Sequence, residues 1–229
     1  MNLLSKYIPV GLRVLFNRYF RYTCEDSYGK GKKIQLFRPL NIDPKYVEID
    51  DFVRIQSDVT LITSEAKLRI KKYSAIGMGC LIIPGSHVPT VGLPQFLSFL
   101  HINDIQTGIT IEEDCWIGAQ ATLLSKCNIG RGSIVGACSL VTKDVPPYAV
   151  VAGSPAKIIA TRFSIEQIVE HEQQLYPESE RLSTEKINEI FETHYKGLKS
   201  IGTSNISAAD LKKLKLAKNE YNMFSNSNT

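Results

Sequence analysis

The chain has 229 residues, of which 43% are apolar and 22% charged, and its formal net charge at pH 7 is +4. That length suits one domain with appendages, and so mild a charge does not by itself predict a nucleic-acid partner. The sequence shows no zinc-finger, helix-turn-helix or RNA-binding signature, no apolar run of about 18 residues and no signal peptide, so we expect a cytoplasmic protein that binds no nucleic acid.

Residues 1–40 form an N-terminal segment that begins with a basic and apolar stretch. Residues 1–22 contain Lys6, Arg13, Arg18 and Arg21 and no acidic residue. Interleaved leucines and aromatic residues predict an amphipathic helix, which would suit a peripheral contact with the inner face of an anionic membrane. We favour the alternative that this segment covers the open end of the following domain, because an uncovered strand edge invites wrong pairing.

Apolar residues recur at six-residue spacing through the next segment, residues 41–163. They are Ile49, Ile55 and Leu61, then Ile70, Ile76 and Ile82, then Ile111, Ile117, Leu123, Ile129, Val135 and Val141. Neither an α-helix nor a single strand produces this period, whereas a short strand followed by a turn does. The repeat predicts a parallel β-helix of about five coils, with three hexapeptides in each coil.

A second position of the repeat, four residues after each apolar one from Ile70 onward, accepts only small or β-branched side chains. It is occupied by Ser74, Cys80, Ser86, Cys115, Ala121, Cys127, Ser133, Ser139 and Val145. Three of the five cysteines fall there, where a thiol behaves as a compact apolar group. Since the chain has no C-x-x-C pair either, we expect these cysteines to pack in a reducing compartment and to hold no metal.

The repeat is interrupted briefly at residues 64–67 and for 23 residues at 88–110. Structureless segments longer than about 12 to 15 residues in a compact domain are usually functional or disordered. Loop 88–110 is too apolar for a linker, so we expect it to pack on a neighbouring subunit and to select the acceptor of any reaction.

Three runs near the end of the repeat resemble a known family. They are IEEDCWIGA at 111–119, VGACSLVTKDVPP at 135–147 and VAGSPAKII at 151–159. Together they are similar to the coenzyme A segment of the hexapeptide-repeat acyltransferases, and the resemblance extends over about residues 40–163. It implies a left-handed β-helix, acetyl-CoA as co-substrate and active sites between the subunits of a homotrimer.

The resemblance also implies a catalytic base. In the family a histidine at the start of the looped-out segment is the general base, and His87 matches that position, with His101 inside the loop as second choice. A hydroxyl is a poor nucleophile, and an imidazole that titrates near neutrality can take its proton. His171 and His194 fall in the C-terminal helical region and are poor candidates. A purely structural role for His87 at the corner is the alternative.

Eight residues are assigned to coenzyme A by the resemblance: Trp116, Gly118, Ala119, Gly136, Ala137, Thr142, Lys143 and Lys157. Independently, Ala119 and Ala137 lie 18 residues apart, so they should stack on adjacent coils and form a shallow groove for the pantetheine arm. Many relatives have arginine where Lys157 stands, which suggests a looser phosphate contact. Trp116 could instead only pack on the surface, and Lys143 could be a solvated charge.

Residues 164–224 read as a helical extension. Ser164 and Gln167 have the spacing of a capping box, and further amphipathic helices are predicted at about 184–197 and 207–222. The polar tail, 225–229, is predicted to be disordered.

These features predict an acetyl-CoA-dependent O-acetyltransferase without a metal cofactor. The acceptor we favour is a sugar hydroxyl of a bacterial surface polysaccharide (capsule, O-antigen or exopolysaccharide) or of its precursor, with direct transfer because the cysteines are committed to packing. The alternatives are a xenobiotic O-acetyltransferase that modifies an antibiotic and a non-catalytic scaffold on the same fold. A γ-carbonic-anhydrase-like metal enzyme needs three histidines near the coils, where only His87 and His101 stand.

Overall fold

The computed structural model describes residues 31–220. The predicted basic helix within 1–22 and the predicted disordered tail, 225–229, lie outside the described residues. The chain divides into two compact units, Met1–Ile158 and Ile159–Thr229, whereas the sequence predicts a boundary between residues 163 and 164. None of the helices within 31–220 combines the length and apolar character needed to cross a lipid bilayer.

The first unit is built from very short strands. They are β1 (Gln35–Leu36), β2 (Val47–Ile49), β3 (Arg54–Ile55), β4 (Thr60–Leu61), β5 (Leu68–Ile70), β6 (Ala75–Ile76), β7 (Leu81–Ile83), β8 (Ile109–Ile111), β9 (Trp116–Ile117), β10 (Thr122–Leu124), β11 (Ile134–Val135), β12 (Leu140–Val141), β13 (Ala149–Gly153) and β14 (Ala156–Thr161), the last of which reaches the second unit. Two 3-10 helices, Pro44–Tyr46 and Gln95–Leu100, lie between them.

The strands form three sheets. Sheet A has the order β1-β3-β6-β9-β11-β13-β14, sheet B the order β4-β7-β10-β12, and sheet C the order β2-β5-β8. The pairings from β1 to β13 in sheet A and throughout sheets B and C are parallel. The chain passes from sheet C to A to B before it returns to C, so each coil from β2 to β10 contributes one strand to each sheet, and Ile129 and Val145 continue sheet C as isolated bridges. A parallel β-helix is therefore confirmed, and its left-handed sense stays a prediction.

The six-residue apolar repeat becomes three vertical rows in these sheets. Sheet C aligns Ile49, Ile70 and Ile111, sheet A aligns Ile55, Ile76, Ile117, Val135 and Val151, and sheet B aligns Leu61, Ile82, Leu123 and Val141. All of these side chains are buried. The core is thus a set of stacked apolar rows, and this stacking is the reason that the period is six residues.

The strand register also shows how many residues each interruption inserts into the coils. Ile70 pairs with Ile111, 41 residues later, which is one 18-residue coil plus the 23 residues of loop 88–110. Ile49 pairs with Ile70, 21 residues later, which is one 18-residue coil plus three residues inserted at the short interruption. The loop is therefore extruded without disturbing the coils. The stacking begins earlier than predicted, since Leu36 already pairs with Ile55.

The small-residue positions are buried as the repeat predicts, with one exception. Cys80, Cys115 and Cys127 are each at most 2% exposed. Burial raises the pKa of the Cys80 thiol, and it raises the pKa of Cys127 to about 12. Ser86 is exposed, because the chain leaves the coil at that point to enter the loop. Cys138, which is not in this position, is also exposed.

The second unit contains helices α1 (Ile165–Leu175), α2 (Thr184–His194) and α3 (Ala208–Glu220). The predicted capping box is confirmed: Gln167 donates its backbone N–H to Ser164 Oγ, and Ser164 donates its own to Gln167 Oε1. A further 3-10 helix spans Glu178–Glu180, and α2 ends three residues before the predicted bound. Helix α3 buries no side chain.

Candidate active site

Loop 88–110 is pinched at its base by backbone pairing. Strand β7 leads to Ser86, whose N–H donates to the Ile105 carbonyl at 2.9 Å, while the Ile105 N–H donates to the Ser86 carbonyl at 2.8 Å. His87 and Asp104 each adjoin one side of this antiparallel bridge. The two ends of the loop are therefore held together, and His87 faces a carboxylate 17 residues further along the chain.

Three side chains converge there, and we call them the His87–Asp104–His101 cluster. His87 Nδ1 lies 3.1 Å from Asp104 Oδ1 and 2.9 Å from Oδ2, and His101 Nδ1 lies 2.8 Å from the same Oδ2. The imidazole rings stack with their centroids 5.4 Å apart. The carboxylate side chain is 6% exposed, while His87 and His101 are 51% and 44% exposed. One sheltered carboxylate thus orients two accessible imidazoles.

The hydrogen bonds stabilise the charged form of the carboxylate. The bond from His101 is the main cause that lowers the pKa of Asp104, the bond from His87 adds to it, and burial opposes both. An ionised carboxylate only accepts hydrogen bonds, so a neutral imidazole that bonds to it carries its proton on Nδ1. The Nε2 atom of His87 is then left with a lone pair, which is the form that a general base requires.

The sequence predictions miss Asp104, although a signal for it exists. Asp104 is the only acidic residue in loop 88–110, and it stands three residues after His101. His101 ends the 3-10 helix Gln95–Leu100 with φ of 55°, in the left-handed region. That local turn brings His101 back to the loop base beside His87, and no sequence pattern predicts it.

The groove predicted for coenzyme A lies at a different corner, after the strands of sheet A. Trp116 pairs with Ile134 and Ile117 with Val135, so the 18-residue register that aligns Ala119 with Ala137 is confirmed. Trp116 is 59% exposed on this face. The binding roles of these residues stay predictions.

Glycines let the backbones approach closely at this corner. A Cβ on Gly118 would lie 2.5 Å from the Ala137 nitrogen, and one on Gly77 would lie 2.5 Å from the Ala119 nitrogen. Cys138 donates its N–H to the Ala119 carbonyl at 2.9 Å, so that carbonyl is occupied by the next coil. Gly136, one coil above Gly118, continues the column.

The remaining predicted contacts are spread over two places. Thr142 and Lys143 are exposed directly after β12, and Lys157 is exposed in β14. Strands β7, β10 and β12 stack in sheet B, where Thr142 lies two coils, or about 10 Å along the axis, from Ile83, and His87 follows Ile83 by four residues. Within one chain, then, His87, Thr142 and Lys143 all follow strands of sheet B, whereas Ala119 and Ala137 follow strands of sheet A.

Known proteins share this repeat. Residues 108–143 match the family described as bacterial transferase hexapeptide (six repeats). A chloramphenicol acetyltransferase from Morganella morganii is 47% identical over 75 residues, which are 33% of this chain and 36% of that protein, and one from Klebsiella aerogenes is 45% identical over the same shares. This chain thus spans little more than a third of the length of these curated relatives.

A solved structure resembles a larger part of the chain. A hexapeptide-repeat-containing acetyltransferase from Vibrio cholerae has a TM-score of 0.54 and 25% identity over 70% of this chain and 85% of its own. A maltose O-acetyltransferase from Clostridium difficile 630 has a TM-score of 0.56 over 67% of this chain and 84% of its own, and at 21% identity it shows the fold alone.

In its stacked sheets and its matched repeats this chain is similar to hexapeptide-repeat proteins of the bacterial transferase type. The predicted resemblance to hexapeptide-repeat acyltransferases is confirmed at that level. The finer prediction of a polysaccharide branch is not supported specifically, since the two curated relatives named above are chloramphenicol acetyltransferases.

Proposed function

We propose that this protein is an acetyl-CoA-dependent O-acetyltransferase in which His87 is the general base and Asp104 its positioning residue. The observation that carries the proposal is the contact between His87 Nδ1 and the sheltered Asp104 carboxylate at the base of an extruded loop. The similarity to acetyltransferases adds support, as does the Vibrio cholerae acetyltransferase, which has also been solved with acetyl coenzyme A.

The reaction needs only groups that the chain and its substrates supply. His87 Nε2 accepts the proton of the acceptor hydroxyl while the hydroxyl oxygen forms a bond to the thioester carbonyl carbon. The tetrahedral intermediate then breaks its carbon–sulfur bond, and the imidazolium returns the proton to the leaving thiolate. The products are an acetyl ester and free coenzyme A. Transfer is direct in this proposal, because Cys80, Cys115 and Cys127 are buried, and the exposed Cys138 donates its thiol to the Gln120 amide and not to a base that could activate it.

The acceptor we propose is a hydroxyl of a small xenobiotic molecule of the chloramphenicol kind. The identity of 45% to 47% with chloramphenicol acetyltransferases favours this class over the surface polysaccharide that the sequence alone favours. Loop 88–110 also presents apolar rather than sugar-binding side chains to its surroundings: Val91, Phe96, Phe99, Leu100 and Ile102 are all exposed. A sugar hydroxyl, which the sequence features favour, is the second candidate.

We also propose that the active site is completed by a second copy of the chain in a homotrimer. One chain places His87 and the Ala119–Ala137 groove at different corners of the β-helix, after β7 and after β9 and β11. Neighbouring copies packed corner to corner would bring the base of one to the groove of the next.

The proposal is tested by measuring acetyl transfer to chloramphenicol, to maltose and to nucleotide sugars. We expect chloramphenicol to be the best acceptor, and we expect the His87→Ala variant to lose about 10²- to 10⁴-fold in rate. His171→Gln, which alters a histidine in the second unit, is the matched control. Full activity in His87→Ala would overturn the assignment of the base, and transfer to sugars alone would reverse the choice of acceptor.

A further inference from the structure

The His87–Asp104–His101 cluster has the composition of a metal site as well as that of a catalytic base. One ring nitrogen of each histidine and a carboxylate oxygen all lie within 4.8 Å of one another, and within residues 31–220 no other group of three or more histidine, cysteine, aspartate or glutamate side chains is so arranged. Imidazole nitrogen and carboxylate oxygen are ligands that Zn²⁺ and similar ions bind readily.

The distances require only small movements. In a tetrahedral zinc site with bonds of about 2.0 to 2.1 Å, neighbouring ligand atoms are about 3.3 Å apart. The observed Nδ1–Oδ2 distances are 2.9 and 2.8 Å, so each must open by less than about 1 Å. Both imidazoles are about half exposed and can turn, while the carboxylate is held in place. Three protein ligands leave a fourth position for water.

The local charge also favours a cation. Loop 88–110 contains no lysine or arginine, and Asp104 is its single acidic residue. When both imidazoles are neutral, the partners of the carboxylate among residues 31–220 are their two ring N–H groups, and neither carries a charge. A divalent ion in their place would neutralise a sheltered negative charge directly.

We propose that the His87–Asp104–His101 cluster binds one divalent transition-metal ion of the Zn²⁺ type through His87 Nδ1, His101 Nδ1 and the Asp104 carboxylate, and that the bound ion switches acetyl transfer off. Nδ1 can bind a metal only through its lone pair, so the proton of each neutral imidazole moves to Nε2. His87 Nε2 then carries a proton and cannot accept one from the hydroxyl. The ion is an inhibitor here and not a cofactor. The switching rests on the proposed function, whereas the binding does not.

Binding is tested on the full chain after treatment with a chelator. We expect Co²⁺ to give the visible absorption of a tetrahedral site that saturates at one ion per chain, and Zn²⁺ to displace it. His101→Gln and Asp104→Asn should each weaken binding by more than about 10-fold, since even the loss of a group that only orients a ligand costs that much. His171→Gln and Cys138→Ser are the controls, because they remove an imidazole and an exposed thiol elsewhere. The site is overturned if Co²⁺ binding does not saturate, or if both ligand variants bind Co²⁺ as tightly as the wild type does.

Inhibition is tested by measuring the acetylated product by chromatography, because zinc binds the thiols that colour reagents detect. We expect Zn²⁺ to inhibit at the concentration at which it displaces Co²⁺, a chelator to restore the rate, and His101→Gln to shift the inhibition to at least about 10-fold higher zinc. Inhibition that is unchanged in His101→Gln overturns the switch. Binding without any acetyl transfer would refute the proposed function and the switch but leave the site standing. Transfer without binding would refute the site and the switch but leave the proposed function standing.

Discussion

Asp104 decides which nitrogen of His87 faces the solvent. The carboxylate contacts Nδ1, so the lone pair of a neutral imidazole lies on Nε2, and the backbone bridge between Ser86 and Ile105 maintains this geometry at the loop base. A histidine without such a partner would exchange between two tautomers. The residue that sequence reasoning omits is therefore the one that makes His87 suitable as a base.

Replacing Asp104 with asparagine should impair the positioning of His87 without affecting the binding of acetyl-CoA. An amide can donate as well as accept, so Asp104→Asn no longer selects the Nδ1–H tautomer, and we expect kcat to fall by about 10²-fold or more. The KM for acetyl-CoA should stay within about twofold, because the Asp104 carboxylate contacts His87 and His101, which are not among the residues assigned to coenzyme A. Steady-state kinetics check both values, with Asp210→Asn in α3 as the control. A rise in KM with kcat unchanged would contradict this role.

Thiol reactivity should follow burial. In a Cys24→Ser background, which removes the cysteine outside the described residues, we expect a thiol reagent to modify one cysteine quickly and three only on unfolding. The fast one is Cys138, which is exposed, while burial raises the pKa of Cys80 and raises that of Cys127 to about 12. Adding Cys138→Ser should abolish the fast phase. A fast reaction that persists in that double variant would show that the coils open.

At the scale of the strand, sheet A requires glycine where two coils approach closely. Gly77, Gly118 and Gly136 follow paired strands in the same column, and Ala152 takes the equivalent place in the coil above. The backbone of the next coil fills the volume that a Cβ on Gly118 would need. The glycines that resemble a binding motif therefore have a packing role as well.

Gly118→Ala should destabilise the β-helix and weaken coenzyme A binding together. Its Cβ would lie 2.5 Å from the Ala137 nitrogen, so the two coils must separate, and we expect a loss of about 1 to 3 kcal/mol in the free energy of unfolding. Ala152→Gly changes the same column without crowding and is the control. Chemical denaturation and acetyl-CoA titration measure the two effects. Unchanged stability would mean that the coils tolerate the separation.

A row of charges reinforces the corner after sheet C. Lys71 lies 2.6 Å from Glu112 and 3.6 Å from Glu113, and Arg131 lies 3.1 Å from Glu113. Burial would raise the pKa of Glu113, but its own backbone N–H and the charges of Arg131 and Lys71 outweigh it and lower that pKa. The carboxylate thus stabilises the fold in its ionised form.

This row should make stability depend on pH below the usual glutamate range. Because the pKa of Glu113 is lower in the folded chain, its contribution is complete above the unfolded value of about 4.3 and disappears as the pH falls through the folded value. We expect Glu113→Gln to cost about 1 kcal/mol at pH 7 and to approach the wild type in stability at low pH. Urea unfolding across this range measures it, with the exposed Glu65→Gln as control. A constant difference at all pH values would contradict the assignment.

At the scale of the whole molecule, His87 and the Ala119–Ala137 groove are separated within one chain, so the function we propose depends on how copies of the chain associate. Loop 88–110 leaves five apolar side chains exposed, and His87 and the Ala119–Ala137 groove do not share a corner. A site shared between copies accounts for both features, since it would cover the loop and complete the groove.

Mixing two inactive variants tests a shared site. His87→Ala lacks the base, and Ala119→Trp blocks the groove. If the copies share sites, trimers reassembled from equal amounts of the two variants should regain about one quarter of the wild-type activity, because one site in four combines two intact halves. Light scattering should report a trimer for each protein. If mixing restores no activity although mixed trimers form, each site lies within one chain.

The β-helix was accessible to prediction because its pattern is local and repeated. Each apolar position fills the same row as its counterpart one coil away, so the positions of Ile117 and Val135 in the sequence already predict that they pair. The same logic predicts the buried cysteines and the length of the extruded loop. It fails at Ser86, where the chain leaves the coil and the repeat no longer governs burial.

The residues of the candidate site also fall into those that the repeat predicts and those that it does not. The sequence by itself determined the stacked coils, the column of small residues and the histidine at the loop base, since all of these follow from the period or from its interruption. Only the tertiary structure decided that His101 and Asp104 return to His87, because a left-handed turn at His101 and the backbone bridge to Ile105 bring them there. A repeat constrains residues that stack on their neighbours, whereas a loop is shaped by contacts between residues that no period relates.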